Sequence, residues 1–358
     1  MLGAALAEKG CAMKVLRAIN GVGELVQAGL VAPDAAPALQ PVEAAFRIRL
    51  TGAMQEAIRA PDDPVARQFV PLVDELTIRD EELADPIGDE AHAPVKGLTH
   101  RYPDRVIFHV TKTCEVYCRF CFRREAVGDE GSLPDADVMA ALDYIADHPA
   151  IREVILTGGD PLVLSARRIK GLMDRLAAIA HVDVVRIHTR IPVVAPEKVT
   201  EELVEALRGR AAVWVVVHTN HEQEITARAE LALARLAEAG IPLLSQSVLL
   251  RGVNDSVAAL EGLFRKLIRH RVKPYYLHHC DLAKGTSHFR TTIAEGQALM
   301  AGLRGRVSGT LIPTYVLDIP VGFGKVPLVR DHAEPLGDGL WRITDWRGGQ
   351  HLYRDPER

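Results

Sequence analysis

Residues 106–124 read VIFHVTKTCEVYCRFCFRR. The run Val106 to Val110 has the apolar density of a buried strand, and a few residues beyond it come Cys114, Cys118 and Cys121. With 5 cysteines in 358 residues and three of them here, the chain has no disulfide framework; the cluster reads as a metal site in a reducing compartment. Three thiolates can hold three irons of a [4Fe–4S] cube and leave the fourth iron open. Zinc would need a fourth protein ligand, which Cys280 or a histidine could supply. A redox disulfide fits less well, since no two-cysteine CxxC stands alone.

Outward from this stretch the chain alternates between two periodicities. Strand patterns recur at 153–157, 184–189, 213–219, 242–248, 274–279 and 312–318. Between them lie amphipathic helical patterns: DADVMAALDYIADH, ARRIKGLMDRLAAIA, EKVTEELVEALRG, EITARAELALARLAEAG, SVAALEGLFRKLIRHR and TIAEGQALMAGLRG. Strands that are apolar throughout, alternating with helices, imply a parallel sheet covered by helices. The expected fold is α/β, a partial or full (β/α) barrel spanning 96–330. Residues 1–95 read as a mostly helical N-terminal region with a packing or oligomerisation role. Within it, Asp80-Glu81-Glu82 reads as a solvated face. Residues 331–358 read as a tail with a hairpin around Gly348-Gly349.

At 48% hydrophobic, the chain can bury a large core. A net charge of −4 gives no general attraction to nucleic acid or an anionic membrane. No apolar run approaches the roughly 20 residues needed to span a bilayer. Glu8, Lys9 and Lys14 interrupt what would be a signal sequence, so a cytoplasmic protein is expected. Either Met1 or Met13 could be the start.

Polar residues gather at the C-terminal ends of the strand patterns, which is the catalytic rim of an α/β barrel. Cys114 follows the first strand pattern, Gly158-Gly159-Asp160-Pro161 the second and Arg190 the third. His218-Thr-Asn220-His221 ends the fourth, Gln246 lies in the fifth and Asp281 follows the sixth. Just before the first, Arg101, Tyr102 and Arg105 form a group suited to gripping a phosphate. After the last, Lys325 follows Gly322 and Gly324, where a neutral amine could attach covalently to pyridoxal 5′-phosphate (PLP).

The CxxxCxxC spacing, with Phe120 before the last cysteine, resembles the radical S-adenosylmethionine (radical SAM) superfamily, in which the open iron chelates SAM. Gly158-Gly159-Asp160-Pro161 resembles the superfamily's glycine-rich motif. THRYPDRV, CxxxCRxCxRR, GGDPL, HTNHxxEIT, LLRGVND, PYYLHHCDLxxGTSHFRT, SGTLIPTYVLD and GKVPL, in this order from about residue 15 to 330, resemble lysine 2,3-aminomutases.

That resemblance implies a [4Fe–4S] cluster on Cys114, Cys118 and Cys121, with SAM held near Gly158, Gly159, Asp160 and His218. It implies PLP on Lys325, with Arg101, Tyr102, Arg105 and Gln246 around its phosphate and ring. Arg123 matches the arginine that binds the substrate α-carboxylate, and Asp281 and Asp318 match the acids that bind a lysine ε-ammonium. The implied reaction moves the 2-amino group of L-lysine to C3, giving β-lysine, through a 5′-deoxyadenosyl radical. An amino-acid substrate, a low-potential electron donor such as flavodoxin or ferredoxin, and a homo-oligomer are expected partners.

Two buried acids need a cation, which argues for a basic substrate; a glutamate-acting relative would be expected to lose them. The longer relatives carry a C-terminal cysteine cluster for zinc. This sequence ends at Arg358 without one, and Ser256 stands at the matching barrel position, so no zinc is expected. Val321 and Phe323 interrupt the glycine run before Lys325. Rival readings are the branch that makes β-lysine for elongation factor P, which lacks the acid at the Asp318 position, a 2,3-aminomutase for another amino acid, and a PLP-free radical SAM enzyme. A decayed scaffold would be expected to have lost a cysteine, Lys325 or Arg123; all are present.

Overall fold

The computed structural model describes residues 16–128, 131–329 and 331–356. The alternative starts at Met1 and Met13, and the charges at Glu8, Lys9 and Lys14, lie outside these residues.

All seven strand patterns form strands, and they pair in parallel in sequence order. They are β2 (Arg105–Thr111), β3 (Glu153–Gly158), β4 (Val184–Thr189), β5 (Ala212–His218), β6 (Leu243–Leu249), β7 (Val272–His279) and β8 (Thr314–Ile319). The sheet has two further strands, because each end of the parallel run is edged by a short antiparallel partner. One is β1 (Leu98–Tyr102), which pairs with β2; the other is β9 (Gly324–Pro327), which pairs with β8. The result is a nine-stranded curved sheet in the order β1 to β9, a partial barrel.

These two edge strands add to the sequence reading, which set Arg101, Tyr102 and Arg105 just before the first strand and Lys325 beyond the last without assigning either to a strand. Both are too short and polar for periodicity to reveal, and they exist because β2 and β8 offer them a ladder. The ladder does not continue from β9 to β1. There the Lys325 backbone N–H donates to the Tyr102 hydroxyl (2.8 Å), and the Val321 N–H donates to the Pro86 carbonyl (3.0 Å).

The helices lie where amphipathic patterns predicted them, with caps that set their starts. Ser165, Thr226, Ser256 and Thr292 accept hydrogen bonds from the first turns of Ala166–Ala178, Ala227–Glu238, Val257–Arg269 and Ile293–Leu303. In Val257–Arg269 the stripe Leu260, Leu263, Phe264 and Leu267 is buried, as a 3–4 spacing requires. Two predicted helices are shorter than their patterns. Thr200 and Thr226 cap late, leaving 3-10 turns at Pro196–Lys198 and Glu222–Glu224 ahead of them.

The N-terminal region differs more from expectation. Its helices are short: Val22–Gln27, Ala36–Ala45, Gly52–Ala57 and Ala66–Phe69. Residues 42–59, VEAAFRIRLTGAMQEAIR, have apolar residues at the 3–4 spacing of a helix, but the helix breaks where Phe46 to Leu50 alternates apolar with arginine, a strand period. Leu50 there exchanges backbone hydrogen bonds with Ile19 (2.9 Å each). From Val70 to Gly97 the chain is irregular apart from two 3-10 turns. Even so, Val22, Leu25, Leu50 and Phe69 share one continuous apolar core with the strands and helices of the barrel. The acidic run is not all solvated. Glu82 is buried, accepting from the Gly285 N–H (3.0 Å) and pairing with Arg290.

The C-terminal residues form a separate antiparallel sheet of β10 (Ala333–Gly337), β11 (Leu340–Thr344) and β12 (Gln350–Arg354). Gly348-Gly349 turns the last two. Among the described residues, no helix is long and apolar enough to cross a membrane.

Candidate active site

A cavity of about 820 Å³ opens at the C-terminal ends of the parallel strands, and every site residue named from the sequence lines it. It has two facing walls.

The first wall is the cysteine loop after β2 and the turn after β3. Gly158 has a φ of 120°, and a Cβ there would lie 2.3 Å from the Thr111 carbonyl oxygen. A Cβ on Gly159 would lie 2.2 Å from the Thr113 carbonyl oxygen. Only glycines let this turn press onto the strand end that leads into Cys114, so the pair has a packing reason beside any contact with a cofactor. Asp160 is spent internally. Its carboxylate accepts from the Leu162 N–H (3.0 Å), the Thr189 hydroxyl (2.7 Å) and the Arg190 N–H (2.6 Å). Burial pushes its pKa up, against these hydrogen bonds.

Burial raises all three thiols: Cys114 well above its usual value with Cys121 adding to the effect, Cys118 against the opposing charge of Arg190, and Cys121 to about 11. Thiolates therefore need a positive partner here, and iron is one. Among the described residues, no three His, Cys, Asp or Glu side chains converge on a single metal position. Three thiols lining one cavity, with no fourth protein ligand beside them among the described residues, are the donor set that a [4Fe–4S] cluster with an open iron takes.

The N-terminal region clamps this loop, a role its sequence did not announce. Buried Glu75 pairs with both Arg119 (2.5 Å) and Arg124, and the Arg119 N–H donates to the Gln68 carbonyl (2.8 Å). Burial would raise the Glu75 pKa, but the two guanidiniums hold it below the usual range.

The second wall is built on β7, β8 and β9. The register places Asp318 opposite Lys325 across the β8–β9 ladder, and their side chains form an ion pair. His278, on β7, lies 3.1 Å from the Asp318 carboxylate and 3.3 Å from Lys325 Nζ through its Nδ1. Burial works to raise the Asp318 pKa, yet the His278 contact and the Lys325 charge hold it far below the usual range. Asp281 lacks such a partner. Burial first, and then the negative charge of Asp318, push its pKa up to about 7.

Between the walls, Asp89 joins two of the predicted arginines. Its carboxylate accepts from Arg123 Nε (2.7 Å) and pairs with Arg101 (3.4 Å). Arg101 also donates to the Ile87 carbonyl (2.5 Å), while its buried Nε has no partner. The Arg105 guanidinium stacks 3.8 Å from the centre of the Tyr102 ring. His218, Gln246 and Tyr276 are neighbours across β5, β6 and β7. His218 is half-buried with a buried, unpartnered Nε2, and burial, Arg190 and His278 push its pKa well below the usual range.

Sequence reasoning missed Asp89, His278, Glu75 and the partners of Arg190. His278 was visible within a strand pattern, but its proximity to Lys325 is a matter of sheet curvature. Asp89 carried no signal, since it lies in an irregular segment.

A curved parallel sheet with three cysteines after its first long strand and glycines after its second is the arrangement of a radical SAM enzyme. Residues 108–261 match the Radical SAM superfamily. The chain is 45% identical over 297 residues to an L-lysine 2,3-aminomutase of Clostridium subterminale, covering 83% of this chain and 71% of that one. It is 40% identical over 295 residues to an L-lysine 2,3-aminomutase of Fusobacterium nucleatum, covering 82% and 69%. A glutamate 2,3-aminomutase of Clostridioides difficile is 39% identical over 287 residues, covering 80% and 68%. The chain belongs to the lysine 2,3-aminomutase family, and is thus an isomerase that uses SAM and a [4Fe–4S] cluster.

Proposed function

We propose that this enzyme is a PLP-dependent aminomutase that moves the 2-amino group of L-lysine to C3 and releases β-lysine. The observation that carries the substrate is the pair of acids on the second wall. Asp281 and Asp318 share one cavity with Arg123, so a molecule with a carboxylate at one end and an ammonium at the other satisfies both ends. Glutamate would set a carboxylate against two acids.

In this reading Cys114, Cys118 and Cys121 ligate the cluster, and Gly158, Gly159 and His218 border the SAM site, with Asp160 supporting it from beneath. Lys325 holds PLP, with Arg101 and Arg105 on its phosphate and Tyr102 and Gln246 beside it. The fit rests on the unpartnered Arg101 Nε and on a lysine whose amine already faces the cavity. When bound, SAM and the cluster supply a carbon radical able to take an unactivated hydrogen, and PLP supplies a π-system across which nitrogen can migrate.

The protein's own residues bind and orient. Arg123, steadied by Asp89, fixes the α-carboxylate. Asp281 and Asp318 fix the far ammonium, which sets C3 of the substrate between the two walls. Val116, Phe120, Ile155 and Val248 line the cavity and keep it poor in water, which protects a radical from stray hydrogen donors. A low-potential donor such as flavodoxin or ferredoxin, a homo-oligomeric state, a cytoplasmic location and divisions near residues 95 and 330 complete the proposal.

The test is an anaerobic assay with SAM, PLP and dithionite against L-lysine, L-arginine, L-ornithine and L-glutamate. β-Lysine should form from lysine, with little turnover of the others. Turnover of another amino acid while lysine stays unreacted would sink the assignment.

A further inference from the structure

Arg190 follows β4 and takes no part in the assignments above. It is 5% exposed, and its position is over-determined. One guanidinium nitrogen donates to Cys118 Sγ (2.7 Å). Another donates to Gln68 Oε1 (2.6 Å) and Glu224 Oε2 (2.7 Å). Behind it the support is closed. Gln68 donates to Glu224 Oε1 (2.9 Å), Asn220 Nδ2 donates to Gln68 Oε1 (3.0 Å), and the Asn220 and His221 N–H groups donate to Glu224 Oε1 (2.9 and 2.8 Å). The guanidinium also lies 4.7 Å from the ring centre of Phe69 and 5.5 Å from that of Phe120. Cys118 thus has a guanidinium in direct contact with its sulfur, whereas Cys121 meets the backbone N–H of Arg123 and feels the Arg123 and Arg124 charges without such a contact.

We propose that Arg190 is a positioning residue for the iron–sulfur cluster, holding the Cys118 sulfur and setting the reduction potential, with Glu224 trimming the charge it delivers. The inference rests on Cys118 being a cluster ligand, as assigned above. Hydrogen bonds and charge at the sulfurs are among the levers that set iron–sulfur potentials. Reduction brings one electron from a donor into the cluster, taking it from 2+ to 1+. A fixed cation beside one sulfur stabilises the added negative charge and makes the potential less negative. A fixed anion behind that cation does the reverse. Buried and hydrogen-bonded on its far side, Arg190 cannot swing to solvent, so the effect is built into the fold rather than screened by water.

The experiment is an EPR-monitored dithionite titration of anaerobically reconstituted holoenzyme without SAM, with iron counted for each preparation. Arg190→Met should bind iron but need a more negative potential. The expected change is at least tenfold in the reduced-to-oxidised ratio at fixed potential, about 59 mV for a one-electron couple. Arg190→Lys should recover part of the shift. Glu224→Gln should move the potential the opposite way, and it carries the test if Arg190→Met loses its cluster. A purely structural role would not produce opposite signs. An iron-replete Arg190→Met with the wild-type potential, or both variants shifting in one direction, overturns the inference. A wild-type chain that yields no EPR-active cluster overturns the ligand assignment as well.

Discussion

The two walls of the cavity face one another yet are built on opposite principles. On the cysteine wall the buried charges beside the thiols are already answered by the protein: Glu75 by Arg119 and Arg124, Glu224 by Arg190, Asp160 by backbone and hydroxyl donors. On the lysine wall, charges are left short. Asp281 sits near a second acid, Asp318, with its pKa pushed up to about 7. A wall that holds a permanent group can be complete in itself. A wall that receives a molecule and lets it go must keep something unsatisfied for that molecule to satisfy.

The strongest way to separate the walls is Lys325→Ala. Activity should fall below detection and PLP absorbance should vanish, while iron content stays at the wild-type level. Loss of iron with it would show that the walls are one structural unit. Next in size is Glu75→Gln, which leaves two buried guanidiniums without their anion. Unfolding free energy should drop by about 3–5 kcal/mol, read as a lower urea midpoint at unchanged slope. An effect no larger than that of a surface substitution would remove the clamp.

The incomplete wall should also titrate. The folded pKa of Asp281 is raised above its unfolded value, so its stabilising contribution is present at low pH and is lost as pH rises through about 7. Lysine binding needs the carboxylate, so it should tighten over the same range. Between about pH 6 and 8, KM for lysine should fall several-fold while the Tm of the substrate-free enzyme declines. Asp281→Asn should flatten both trends; if both persist in it, another group is responsible. The smallest expected effect is at Val321, a β-branched residue held at a φ of 64° four residues before Lys325. Val321→Gly should stabilise the protein by about 1 kcal/mol in urea titration. A loss of stability instead would mean that packing, not backbone strain, dominates there.

Much of this molecule is legible in its sequence because the parallel strands and their covering helices are long, apolar in the right period and bounded by capping residues. Ser165, Ser256 and Thr292 mark helix starts that the structure places within a residue or so. The cysteines, glycines and acids could be placed together from the sequence because several strand ends deliver them to one rim. What stayed hidden depends on distance in sequence. Gln68, Glu75, Glu82 and Asp89 meet partners in the cysteine loop and beyond β7 that no local period connects to them. Glu82 looked solvated only because its neighbours Asp80 and Glu81 are. The edge strands β1 and β9 stayed hidden because their hydrogen-bond partners, not their composition, make them strands.

The Tyr102 hydroxyl on the Lys325 backbone has one more consequence. A closed barrel is a staved cask, and opening it means tearing a row of hydrogen bonds. This sheet is a cask with one stave missing, its first and last strands joined directly by a phenol and an amide. Undoing that latch and the Val321–Pro86 hydrogen bond beside it costs about 2 kcal/mol, whereas separating any two neighbouring parallel strands would cost a whole ladder. The slit falls beside Lys325, the residue that would carry the cofactor.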